Sequence, residues 1–222
     1  MNGFRLSQVV MPAVILAAAA TVAQRPRALV KDGNIVIRSR NGEVRAITTS
    51  GRDSDPSVSC DGRRIVFVRK TGQYPGANGG IPADKTQIWL ADLSAPAPAP
   101  HIVFDAPVEF RGYRSYWFAS PKLSPAGNAV YFLVPEYASS SPGLYRLDLV
   151  TGQVRFLALA LEFWIVPKGL FGGDLIIHQY PMLIGGGHYD VYNMIDSSGA
   201  LIGAAGFNEE KIKELVSCEI GE

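Results

Sequence analysis

The sequence predicts an all-β fold, a β-propeller of about four antiparallel blades, and three observations carry that prediction. A strand–turn–strand unit recurs along the chain, a hairpin unit recurs between its copies, and several strands are apolar at consecutive positions. Self-similarity at a period of roughly 45–55 residues is the mark of a repeat architecture. Composition agrees. Of 222 residues, 47 % are hydrophobic and 18 % charged, which supplies a core and excludes wholesale disorder. The 23 Gly and 15 Pro suit a fold with many turns and argue against a helical bundle. A net charge of +1 lacks the basic excess that nucleic-acid binding calls for.

Residues 1–23 read as a secretory leader. Arg5 precedes the apolar run Val9–Ala20, and Ala18, Ala20, Thr21 and Ala23 supply small residues for cleavage. Cleavage after Ala23 is the first choice and after Ala20 the second. A run of 12 apolar residues would span only about 18 Å as a helix, short of a hydrocarbon core of about 30 Å. A membrane anchor is therefore disfavoured, and no Cys follows the run to carry a lipid. The expected location is the periplasm or the exterior, with residues 24–222 as one domain.

The repeats come next. Asp55-Pro56-Ser57-Val58-Ser59-Cys60-Asp61-Gly62 leads into Arg63-Arg64-Ile65-Val66-Phe67-Val68. Set 65 residues later, Ser120-Pro121-Lys122-Leu123-Ser124-Pro125-Ala126-Gly127 leads into Asn128-Ala129-Val130-Tyr131-Phe132-Leu133. Each reads as a short strand, a turn closed by Gly, and a strand of β-branched and aromatic residues. The hairpin unit Gly33–Thr48 aligns without a gap on Gly143–Ala158, with turns at Asn41-Gly42 and Thr151-Gly152. Tyr189–Gly203 repeats it with a turn at Ser198-Gly199, and Gln87–Leu93 supplies another first strand. Strands such as Ile65–Val68 and Ala129–Val134 are apolar at successive positions, so both of their faces are covered, as in stacked sheets around an axis.

These residues resemble the TolB-type, WD-repeat-like propeller repeat. Asp53, Pro56, Ser59, Asp61 and Gly62 match its pattern, with Cys60 in place of the usual proline. Pro121, Ser124, Pro125 and Gly127 match again, with Ala126 in place of the aspartate. A degenerate third copy runs from Val166-Pro167-Lys168-Gly169 through Gly172-Gly173 to Asp174–His178. The resemblance covers most of Gly33–Gly203 and implies a propeller whose partner belongs to the cell envelope. It is specific for fold and weak for function, because relatives include scaffolds, binding proteins and peptidase regulatory domains.

About 200 residues after the leader, in repeats of about 48, give roughly four blades. The N-terminal piece Ala28–Thr48 is expected to lack its inner strands, so the ring is either incomplete or closed by self-association. At the other end, Asn208-Glu209-Glu210-Lys211 with Ile212, Leu215 and Val216 reads as a short capped helix. Val216, Cys218 and Ile220 also alternate as a closing strand would, and the helix is favoured. Cys60 and Cys218 form either a disulfide or two separate buried thiols. A bond would be worth roughly 5 kcal/mol in the chain-entropy model. Residues 24–70 hold 11 Lys/Arg against 5 Asp/Glu, and residues 161–222 hold 3 against 9. This is either chance placement of solvated charges, the favoured reading, or an attraction between the ends, within one ring or between partial rings.

The chemistry-bearing residues are few. There is no Gly-x-Ser-x-Gly elbow, and the histidines are His101, His178 and His188. No catalytic residue is assigned, and no enzyme activity is expected. His188 and Asp190 with His178 or Asp174 lack compact zinc spacing, so no metal and no cofactor are expected. Asp53 and Asp55 read as turn and hairpin anchors rather than a calcium loop. Gly76–Gly80 reads as a long hairpin loop, since no Lys-Ser/Thr follows it to hold a phosphate. The densest aromatic and basic stretch is Phe110–Phe118. It reads as inter-blade core or as a partner surface made by Arg111, Tyr113, Arg114, Tyr116 and Trp117. Single-stranded nucleic acid would suit the stacking rings but not an exported chain. The expectation is a non-catalytic exported propeller that binds a protein partner. An inhibitor or immunity-type protein against a toxin or hydrolase is one alternative, and a glycan or small-molecule sensor is another.

Overall fold

The computed structural model describes residues 26–39, 42–75, 82–105, 109–110, 113–114, 117–136, 139–182, 185–206, 209–216 and 218. The leader expected at 1–23 and the glycine-rich stretch 76–80 lie outside the described residues. Four antiparallel sheets follow one another along the chain. The first holds β1 (Arg27–Lys31), β2 (Asn34–Arg38) and β3 (Val44–Ala46). The second holds β4 (Asp53–Val58), β5 (Arg64–Tyr74), β6 (Ala83–Asp92) and β7 (His101–Asp105). A two-stranded ribbon, β8 (Glu109–Phe110) and β9 (Tyr113–Arg114), precedes the third sheet. That sheet holds β10 (Ala119–Leu123), β11 (Ala129–Val134), β12 (Gly143–Asp148) and β13 (Val154–Leu159). The fourth holds β14 (Glu162–Ile165), β15 (Leu175–Gln179), β16 (Val191–Ile195) and β17 (Leu201–Gly206), and helix α1 (Glu209–Leu215) ends the fold.

Each sheet is a simple meander, and β10 packs beside β4, so the first strands of the blades gather at the axis. Among the described residues the first sheet is one strand short. Its β2–β3 hairpin aligns with β12–β13, and β1 takes the place that β5 and β11 take in their blades. Among the described residues only the innermost strand is missing, a correction to the expectation that Ala28–Thr48 lacks its inner strands: Ala28–Lys31 pairs along its length with β2.

The repeated turn owes its form to two residue types. Ser59 Oγ accepts the Arg64 backbone N–H at 2.9 Å and donates to Asp61 Oδ1 at 2.5 Å, while Gly62 closes the turn at φ +71°. In the second copy Ser124 Oγ accepts the Ala129 N–H at 3.1 Å, and Gly127 closes at φ +66°. Asp55 and Ser120, each preceding a proline, both sit at positive φ where the inner strand bulges. One local hydrogen-bonding scheme, written twice, produces both blade starts.

Three apolar layers join the blades. Ile35, Ile37, Ile65 and Phe67 fill the first, Val66, Val68, Val130 and Phe132 the second, and Tyr131, Leu133, Phe163 and Ile177 the third. Successive residues of Ile65–Val68 in β5 and of β11 point into different layers, which is why those stretches are apolar throughout. Beyond the fourth sheet, α1 takes the place of a further blade. Its Ile212 is buried against Val166, Ile176 and Tyr192. The helix reading of the C-terminus thus holds for Glu209–Leu215.

A disulfide joins Cys60 to Cys218 across 158 residues, with a Cα–Cα distance of 5.4 Å. The pair left open between bond and free thiols is bonded. The turns β4–β5 and β10–β11 lie at one end of the blades, tied by Arg64 Nη1 donating to Gly127 O at 2.8 Å. This is the turn end. The connections β5–β6, β11–β12 and β15–β16 lie at the other, the loop end. Strand β17 finishes at the loop end, whereas Cys218, bonded to Cys60, sits at the turn end. The two chain ends that carry opposite charge are joined covalently.

Candidate functional site

The loop end gathers the segments that vary from blade to blade. The β5–β6 hairpin is extended, pairing as far as Tyr74 with Ala83, and the β8–β9 ribbon leads from the same end into β10. Phe118 anchors that approach: its N–H donates to Thr86 Oγ1 at 2.9 Å, and its ring meets Phe104 and Phe132 at 5.3 and 5.4 Å. The aromatic line continues through Tyr145, whose hydroxyl donates to Glu136 Oε1 at 2.5 Å. Trp117, next to this anchor, is 42 % exposed.

The aromatic-basic stretch therefore divides. Phe118 is core, and Trp117 is surface. Tyr113 and Arg114 lie on β9 as backbone positions, and Arg111 and Tyr116 lie outside the described residues. Of the five residues expected to meet a partner, the three described, Tyr113, Arg114 and Trp117, lie in the connection at the loop end.

The β15–β16 connection adds a second exposed group. His188 stacks on Tyr180 with ring centroids 4.9 Å apart, and Met182 bridges to His188. Gly185, Gly186 and Gly187 all take positive φ there. Tyr180, Met182 and Tyr189 remain exposed, at 44, 71 and 53 %. Below them His178 Nε2 meets Asp190 Oδ1 at 2.6 Å and its ring stacks on Tyr192 at 4.7 Å. Residue type alone did not single out Tyr180, Met182 and Tyr189; their signal was the glycine run beside them.

The four residues weighed as metal ligands separate. His178 and Asp190 pair with each other, and His188 Nδ1 faces Tyr180 O at 3.3 Å. Asp174 sits at the turn end, where burial and then the neighbouring Asp196 raise its carboxyl above the usual value. Among the described residues no group of His, Cys, Asp and Glu is disposed to hold a metal ion.

Two charged groups act on the frame. Asp53 opens β4 with its side chain fully buried and takes two bonds from Arg69, at 2.6 and 3.0 Å. Burial would raise its carboxyl, but hydrogen bonds from Arg69, Thr48 and Ser50 outweigh that and hold it below the ordinary value. Asp53 is thus half of an interior ion pair across two strands, and through Thr48 and Ser50 it also anchors the turn that leads into β4. Arg69 in turn lies 4.0 Å over the Trp89 ring. Lys122 on β10 donates to the Phe163 carbonyl of the next blade and lies 4.5 Å over that residue's ring. Burial, partly offset by Glu162, lowers its pKa to about 8.

Among the described residues no hydroxyl is hydrogen-bonded to a histidine, and both cysteines are in the disulfide. No described helix is long and apolar enough to cross a membrane.

No protein-family model matches the chain, and no curated protein matches its sequence. Solved structures do match by shape. TolB from Acinetobacter baumannii superposes with a TM-score of 0.50 at 15 % identity, over 79 % of this chain and 38 % of that one. Dipeptidyl peptidase 4 from Porphyromonas gingivalis gives 0.49 at 13 %, over 83 % of this chain and 31 % of that one. A gluconolactonase from Xanthomonas campestris gives 0.47 at 15 %, over 81 % and 57 %. The chain spans well under half of the TolB structure, so the likeness speaks to architecture. Four meandering sheets joined face to face, and the fit to TolB, make this a β-propeller fold.

Proposed function

We propose that this chain is an exported, non-catalytic propeller that binds another protein in the cell envelope through its loop end. The observation that carries the reading is where the large exposed rings fall. Of five exposed aromatics among the described residues, Trp117, Tyr180 and Tyr189 lie at the loop end, with Met182 beside them. Large aromatic anchors on a rigid frame are the side chains that dominate protein interfaces. Arg111, Tyr113, Arg114 and Tyr116 belong to the same connection and join the contact in this reading. Export rests on the leader at 1–23, and the envelope setting rests on the TolB-type repeat.

The test is affinity capture of the mature protein from its own periplasmic extract after a high-salt wash. One stoichiometric protein should be retained by the wild type and lost with Trp117→Ala/Tyr189→Ser. Return of the bait alone, or retention by the double variant, counts against the loop end.

A further inference from the structure

The strand at the start of the fold is exposed where its counterparts are buried. All six residues of β11 are buried, yet four of the five residues of β1 are exposed. β1 pairs with β2 on one edge only, and among the described residues no strand occupies the other. It lies beside β4, so the vacant edge is the one at the axis, where β4, β10 and β14 stand in the other blades. Alternate N–H and C=O groups of that edge are a template for one more strand.

The side chains say what kind of strand fits. Arg27, Leu29 and Lys31 lie on one face of β1, with Leu29 in register with the buried Val36 of β2. A second copy of this chain is a poor occupant. Antiparallel pairing of two β1 strands over their whole length sets Leu29 against Leu29 but Arg27 against Lys31 on both sides. Like charges directly opposite are destabilising. The complement is a strand that reads acidic, any, apolar, any, acidic.

We propose that the axial edge of β1 is a β-augmentation site for an extended segment of a partner protein. The partner carries two acidic side chains four residues apart, flanking an apolar one. Backbone pairing supplies affinity, and Arg27, Leu29 and Lys31 select the sequence. This edge shares no residue with the contact assigned to the loop end, so it holds or fails independently of the function proposed above.

The probe is a fluorescent synthetic peptide, Ser-Glu-Val-Leu-Ala-Glu-Ser, titrated against the mature full chain, with a version carrying Lys for both Glu. The wild type should bind the acidic peptide, and Arg27→Glu/Lys31→Glu should weaken it about tenfold or more and take the lysine peptide instead. N-methylation along one edge of the peptide should abolish binding, while the same change on its other edge should not. That control needs no protein variant. Silence of the acidic peptide up to ~1 mM overturns the proposal, and means that Arg27 and Lys31 only guard the edge. Equal binding of both peptides also overturns it. So does cross-linking of β1 in the free protein to its own residues 1–25 or 219–222, or to a second copy.

Discussion

Lys122 is the residue whose charge the fold tolerates least. Its pKa falls from 10.5 to about 8, so between those values the unfolded chain holds the proton and the folded chain does not. Stability should therefore climb as pH rises through that window, by about 3 kcal/mol at most. Urea titrations from pH 7.5 to 10.5 should show the rise in the wild type and a flat profile in Lys122→Met. Asp53 is the opposite case, a buried charge that the fold satisfies. Asp53→Ala strands Arg69 over Trp89 without its carboxylate and should cost about 3–5 kcal/mol, read as a lower urea midpoint. Neither role was legible beforehand. Asp53 finds its partner across a strand pair, and Lys122 is buried only because the fourth blade arrives against it.

The blade turns are the elements that local sequence writes in full. Ser59 and Ser124, Gly62 and Gly127 do the same work within a few residues of each other, so their spacing was visible as a repeat. Glycine is required twice for different reasons. A Cβ at Gly33 would stand 2.3 Å from Gly51 O with the backbone at φ +69°, and one at Gly127 would collide with the Arg64 guanidinium. Gly33→Ala should lose at least about 1–2 kcal/mol from the left-handed backbone alone. Gly127→Ala should also break the Arg64 tie between two blades. Thermal melts of the two variants, each with and without Arg64→Ala, separate the cases: only the Gly127 cost should shrink when Arg64 is gone. The C-terminus was ambiguous because α1 is short, and apolar contacts of Ile212 and Val216 with blade four decide it.

At the scale of the molecule, what closes the fold is non-local and was not legible. Two cysteines 158 residues apart carry no mark in sequence that they meet. The bond depends on α1 replacing a blade and delivering Cys218 to the turn end. Cys60→Ser should lower stability by up to about 5 kcal/mol and free the tail. Limited proteolysis should then remove α1 first and uncover Ile176 and Tyr192. Loss of the bond with no change in either readout would mean the tail is not held by it.

The same bond changes what happens when the molecule is pulled. Force applied at the two termini reaches Cys60 and Cys218 and passes through the sulfurs, so residues 61–217 between them never feel it. Only the first sheet and the start of the second lie in the line of load. About 570 Å of chain stays hidden until a reductant is present. A stretching experiment should show one short release with the bond intact and that long extension only after reduction. A chain built this way can lose its first blade under tension and keep what lies between the two sulfurs.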